Sequence, residues 1–166
     1  MAIRQIREQE EEILRKKSRE IDVSTIKDEK IQSLIDDMVE TMHLYKGVGL
    51  AAVQVGILKR LVVIDIEDSN GVYVLINPRI IKQKGEQEVE EGCLSFPNEF
   101  GKVVRPAEVT IEYYDRDAKF KKLKAKELLA QAICHELDHL DGKLFVDIVI
   151  PGTLEYMEPE ENNKKD

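Results

Sequence analysis

Apolar residues recur at Ile31, Leu34, Ile35, Met38, Val39 and Met42 within "KDEKIQSLIDDMVETMHLYKG". Steps of three and four place them on one stripe, which predicts an amphipathic helix near the N-terminus with Gly47 as its stop. The rhythm then changes. "RLVVIDI" reads as a buried strand, "DSNG" as a turn, and "VYVLINP" as a second strand ended by Pro78. Further on, Val109, Ile111 and Tyr113 alternate with Thr110, Glu112 and Tyr114, the mark of a half-buried strand, and "DRDAK" turns the chain before "FKKLK". "KELLAQAICHELDHLDG" is apolar on most sides, which predicts a helix buried in the centre of the domain. "KLFVDIVIP" closes the core, and residues 151–166 form a polar tail, frayed or briefly helical. This order predicts an α+β fold: antiparallel strands packed around a central buried helix, plus the N-terminal amphipathic helix. Without a linker or an internal repeat, residues 1–166 read as a single domain.

Composition narrows the classes of function. With 42% hydrophobic and 35% charged residues the chain has an ordinary water-soluble mix. The net charge of −8, with no basic stripe along the sequence to offset it, argues against nucleic acid as the main partner, and sequence-specific nucleic acid binding is not expected. "MAIRQIREQEEEILRKK" lacks the apolar core of a signal peptide or anchor. No apolar run approaches the roughly 20 residues of a membrane helix. Cys93 and Cys134 read as reduced thiols, consistent with a cytoplasmic setting.

Chemistry enters with "HELDH". On a helix, His135 and His139 point the same way, and Glu136 lies between them as a proton-transfer group. Two imidazoles leave a metal site short of a third ligand. Phe145 stands where one metalloprotease pattern places a histidine, although Gly142 of that pattern is present. Glu158 has the spacing of another pattern but lies in the polar tail. Cys134 is rotated about 100° from His135 and reads as a small packing residue. Cys93, in "EEGCLSFP", offers a thiolate from a strand facing the helix, although a buried structural thiol would look the same in sequence. A further segment, "GVGLAAVQVG", combines Gly47, Gly49 and Gly56 with a lone amide at Gln54. It reads either as a turn with Gln54 exposed, or as an edge that pairs with an extended peptide while Gln54 donates to an oxyanion.

Together "GVGLAAVQ" (47–54), "EGCLS" (91–95) and "HELDH" (135–139) resemble the three motifs of the peptide deformylase family, in order and spacing, with similar flanks from about Ile3 to Ile150. The chain departs from the family in reading "EQEEEILRKK" where an Asp-Pro is common, and in a short C-terminal tail, which weakens any tail-mediated ribosome docking. The resemblance implies a hydrolase that removes the N-formyl group from the initiator methionine of new polypeptides and releases formate. It implies Cys93, His135 and His139 as ligands of one divalent metal ion, Fe2+ in the cell, with Zn2+, Ni2+ or Co2+ able to replace it. It also implies Glu136 as general base and acid, and Gln54 with the backbone N–H of Leu94 as oxyanion donors. The partners it implies are N-formylmethionyl peptides and nascent chains, with transient ribosome contact and no membrane.

A methionine pocket is expected from Leu128 and Ala132, on the helical stripe leading to His135, and from Val48 and Val89. Backbone around Val48, Gly49 and Gly92 is expected to pair with the peptide. Glu91 and Arg105 are expected to form an ion pair steadying the cysteine strand, with Asp138 a candidate partner of the ligands. Two rival readings stand beside this one: a metallopeptidase using Glu158 or another acid, and a family member that binds nascent chains without turnover.

Overall fold

The computed structural model describes residues 2–9 and 11–157. Among these residues the elements follow as α1 Glu29–Leu44, β1 Gly49–Ala51, β2 Leu61–Ile64, β3 Tyr73–Lys84, β4 Gln87–Cys93, β5 Phe96–Arg105, β6 Glu108–Tyr114, β7 Phe120–Lys126, α2 Glu127–Leu140 and β8 Glu155–Tyr156. Strands β1-β2-β3-β6-β7 form a five-stranded antiparallel sheet, and β4-β5-β8 form a second sheet. The expected α+β architecture is therefore present, with α1 and α2 on opposite faces of the larger sheet.

The "LVVI" run explains how one sheet serves two helices. Side chains alternate across a strand. Leu61 and Val63 pack with Leu34, Ile35, Met38 and Met42 of α1, while Val62 and Ile64 pack with Ala130, Ile133 and Leu137 of α2. A strand covered on both faces loses polar alternation, which is why this stretch is continuously apolar. Each fully buried Leu, Ile or Met side chain contributes about 1.5–3 kcal/mol of transfer free energy. On β6 the alternation is intact: Val109, Ile111 and Tyr113 are buried and the residues between them are partly exposed.

The structure corrects three expectations. Gly47 does not supply the left-handed stop of α1. Lys46 takes that conformation (φ +57°), with its N–H donating to His43 and the Gly47 N–H donating to Met42, a Schellman closure one residue early. Pro78 does not end β3, which continues to Lys84. The pairing of β3 with β6 shifts register between Ile76 and Arg79, and a proline with no N–H to give is tolerated at such an irregularity. The tail is neither frayed nor helical through Met157. Glu155 and Tyr156 pair with Phe100 and Glu99 of β5, and the Met157 N–H donates to the Asn98 carbonyl. "KLFVDIVIP" closes a small core through Leu144 and Phe145, packed with Leu14 and Phe96, whereas Ile148 is exposed. Glu158, the rival ligand, lies outside the described residues.

Candidate metal centre

Helix α2 carries "HELDH" in its last turns and is buried along most of its length. His135 and His139 stand one turn apart with ring centroids 5.1 Å from each other. Facing them is Cys93, the last residue of β4, where the β4–β5 ladder shifts register and turns. The Cys93 Sγ lies 3.3 Å from His139 Nε2, and one donor atom from each of the three residues falls within 4.8 Å of the others. A tetrahedral ion bound at about 2.3 Å to sulfur and about 2.0 Å to nitrogen holds its donors roughly 3.5 Å apart. The cluster fits that requirement, and three donors leave a fourth position for water or substrate.

The surroundings fix how each ring points. His135 Nδ1 lies 2.8 Å from Glu91 Oε1, which turns Nε2 toward Cys93. Burial disfavours a charged His135, yet its hydrogen bonds to Cys93 and Glu91 outweigh that and raise it well above the usual imidazole value. The Glu91 carboxylate on one edge of the ring and the Cys93 sulfur on the other are donors suited to a cation. Burial and the neighbouring His135 push His139 far down, toward the neutral form that binds metal. Its Nδ1 is buried without a partner among the described residues.

The expected Glu91–Arg105 pair forms and extends further. Arg105 Nε and Nη2 each donate to Glu91 at 2.8 Å, and Nη1 donates to Asp138 at 2.7 Å. Burial would raise the Glu91 carboxyl, but hydrogen bonds from Arg105 and His135 hold it down at about 2. Asp138 is thus joined to the ligands through Arg105 and Glu91 rather than simply solvated. Cys134 packs in the core, as expected, and burial pushes its thiol up to about 11.

Glu136 is buried at 5% exposure, and its Oε1 has no partner among the described residues. Burial lifts its carboxyl to about 7. Gly49 is what admits it: a Cβ on that residue would stand 2.7 Å from Glu136 Oε2. Gln54 is 1% exposed, so the exposed-turn reading is wrong. Its Oε1 accepts from the Ala51 N–H at 2.9 Å, which aims the amide N–H2 at Cys93 Sγ (3.4 Å) and Ser95 Oγ (3.1 Å). Ser95 itself was not anticipated, although it closes the "EGCLS" motif.

Gln54, Cys93, His135 and Glu136 line a cavity of about 510 Å³. Val48, Gly49, Gly92, Leu94, Leu128 and Ala132 line it as well. Val89 is not among its lining residues. It lies on β4 four residues before Cys93, roughly 13 Å up the strand at about 3.3 Å per residue, and pairs with Val103. Phe96 and Phe100 supply apolar wall that the sequence reading missed. Gly92 is packed against the Phe100 ring, which a Cβ would meet at 2.8 Å.

A buried proton acceptor beside borderline-soft ligands, with an amide donor fixed across from it, is the equipment of a hydrolase working through a divalent ion. Comparisons with known proteins narrow the class. The family model for polypeptide deformylase matches residues 3–153. A peptide deformylase of Acetivibrio thermocellus is 56% identical over 150 residues, 90% of this chain and 85% of that protein. A crystal structure of a peptide deformylase from Legionella pneumophila superposes with a TM-score of 0.85 at 46% identity, covering 90% of this chain and 88% of that one. The Met-Ala-Ser-bound crystal structure of the class I type b peptide deformylase from Acinetobacter baumannii also superposes at 0.85, with 29% identity, covering 89% of this chain and 99% of that one. This chain belongs to the polypeptide deformylase family.

Proposed function

We propose that this chain hydrolyses the N-formyl group of formyl-methionyl polypeptides, releasing formate and a free amino terminus, with Cys93, His135 and His139 holding the metal. The observation that carries this reading is the pairing of those three donors with a buried Glu136 carboxyl that lines the cavity and whose Oε1 has no partner among the described residues. A divalent ion held by Cys93, His135 and His139 would supply Lewis-acid polarisation and acidify water at the site.

The chain's own residues do the rest. Glu136 takes the proton of the attacking water and later delivers it to the leaving amine, a role suited to a carboxyl lifted to about 7 by burial. As the carbonyl oxygen gains negative charge, the Gln54 amide, already aligned by Ala51, donates to it. The Leu94 N–H, at the turn after Cys93, is the second donor. Leu128, Ala132, Val48, Phe96 and Phe100 exclude water around the methionine side chain. Strand β1 begins beside Glu136, which supports backbone at Val48 and Gly49 aligning the substrate as an added strand. The nearby Arg105–Glu91 pair holds His135 in place throughout.

The ion we assign is ferrous iron, as the family resemblance implies; the thiolate and two imidazoles accept other divalent metals as well, with availability deciding between them. Enzyme loaded anaerobically with iron should lose activity in air, while nickel-loaded enzyme persists. The Cys93→Ala variant should retain far less than one equivalent of either metal. A metal-replete Cys93→Ala protein would remove Cys93 from the ligand set, and iron activity stable in air would reject the iron assignment.

A further inference from the structure

The turn between β4 and β5 gathers three polar groups in a very short stretch. Cys93 pairs with Phe96, so Leu94 and Ser95 alone make the turn. Three successive residues therefore present the Cys93 sulfur, the Leu94 N–H proposed for the oxyanion, and the Ser95 hydroxyl. The segment 47–54 clasps this turn at two points. The Leu94 side chain closes on Gly47, where a Cβ would stand 2.8 Å from it. Ser95 is fully buried, and its Oγ accepts from Gln54 Nε2 at 3.1 Å. The β4–β5 ladder itself runs from Cys93 and Phe96 back to Gln87 and Arg105 and uses neither side chain.

We infer that Ser95 is a positioning residue for the reaction: its hydroxyl fixes the Gln54 amide so that one N–H is kept for the developing oxyanion. The inference rests on the deformylase reading, in which Gln54 is that donor. A primary amide has two hydrogens to donate and one oxygen to accept. The Ala51 N–H takes the oxygen at 2.9 Å, which decides which end of the amide is which. The two hydrogens then face two acceptors, Ser95 Oγ at 3.1 Å and Cys93 Sγ at 3.4 Å. Oxygen is the stronger acceptor, so Ser95 keeps its hydrogen while the one beside sulfur is free to shift to an oxygen that gains charge. The last side-chain torsion of a glutamine has broad, shallow preferences, so one anchor leaves the amide plane free to turn. Two anchors, at Ala51 and Ser95, fix it. A donor fixed in advance is worth most, because nothing has to reorient as the reaction proceeds. Both side chains are closed to solvent, so removing the hydroxyl leaves that N–H without a partner.

The test measures kcat, KM, Tm and metal content of metal-replete wild type, Ser95→Ala, Gln54→Leu and the double variant, with formyl-Met-Ala-Ser as substrate. Affinities are also measured for the product Met-Ala-Ser and for a hydroxamate pseudopeptide, whose charged oxygen mimics the oxyanion. Ser95→Ala should hold its metal and lower kcat about 3- to 10-fold, the worth of one neutral hydrogen bond, with KM unchanged. It should bind the hydroxamate more weakly by a similar factor, and Met-Ala-Ser as the wild type does. In the Gln54→Leu background the same change should cost less than about twofold, because the group it positions is gone. Ser95→Thr keeps the hydroxyl and should hold kcat within about twofold of the wild type. Should Ser95→Ala fail to fold, Ser95→Gly, which also lacks the hydroxyl, takes its place. Losses that multiply in the double variant, a change confined to KM, or equal weakening of hydroxamate and Met-Ala-Ser would each overturn the proposal. So would a Ser95→Thr enzyme as impaired as Ser95→Ala. A wild type that releases no formate would sink the deformylase reading itself, and the proposal with it.

Discussion

At the scale of single residues, geometry assigns work to atoms that sequence left open. Gln54 had an exposed and a buried reading, and burial with its oxygen committed to Ala51 leaves only the donor face for chemistry. Removing one such donor costs about 3 kcal/mol in the transition state, roughly a hundredfold. Gln54→Leu should therefore lower kcat about a hundredfold with little change in KM. Thermal stability measured alongside separates that loss from the broken Ala51 contact; a change confined to KM would remove the oxyanion role. His135, His139 and Glu136 were legible from helical spacing, whereas Cys93, on a strand, was singled out as a ligand only by the family resemblance. Val89 flanks the cysteine motif in sequence yet stands away from the cavity, because each residue of strand moves the chain by about 3.3 Å. Phe100 could not be found at all: it reaches the cavity only through β5 packing against Gly92.

At the scale of elements, what holds α2 in position matters as much as what it carries. The helix ends at Gly142 (φ +75°), whose N–H donates to His139 while the Lys143 N–H donates to Asp138. This closure fixes the turn that bears His139, so Gly142 serves the fold rather than the protease pattern in which it was first noticed. A Cβ there would also collide with the Arg15 carbonyl. The left-handed conformation and the overlap together should cost Gly142→Ala about 2–4 kcal/mol. At about 2–4 °C per kcal/mol for a domain of this size, that lowers Tm by roughly 5–15 °C. An unchanged Tm would show that the helix end is not under this constraint. Periodicity made α1, α2 and β6 readable, because each buries one defined face. The extension of β3 through Pro78 and the pairing of β8 were hidden. Both depend on which distant strand lies alongside, and no local pattern records that.

At the scale of the whole molecule, the site is assembled from three stretches that lie far apart in sequence. Residues 47–54 and 91–95 meet at two points, Leu94 beside Gly47 and Ser95 beside Gln54. Helix α2 brings Glu136 against Gly49 and its two histidines against Cys93. The Ser95 contact was hidden, because neither stretch records which distant side chain it meets. The metal cluster, by contrast, was legible because two of its three donors sit on one helix. The central claim is the reaction itself. Anaerobically prepared, metal-replete protein should convert formyl-Met-Ala-Ser to formate and intact Met-Ala-Ser, and the Glu136→Gln variant should hold its metal yet release almost no formate. Cleavage between residues with the formyl group retained, or full activity in Glu136→Gln, would contradict the account.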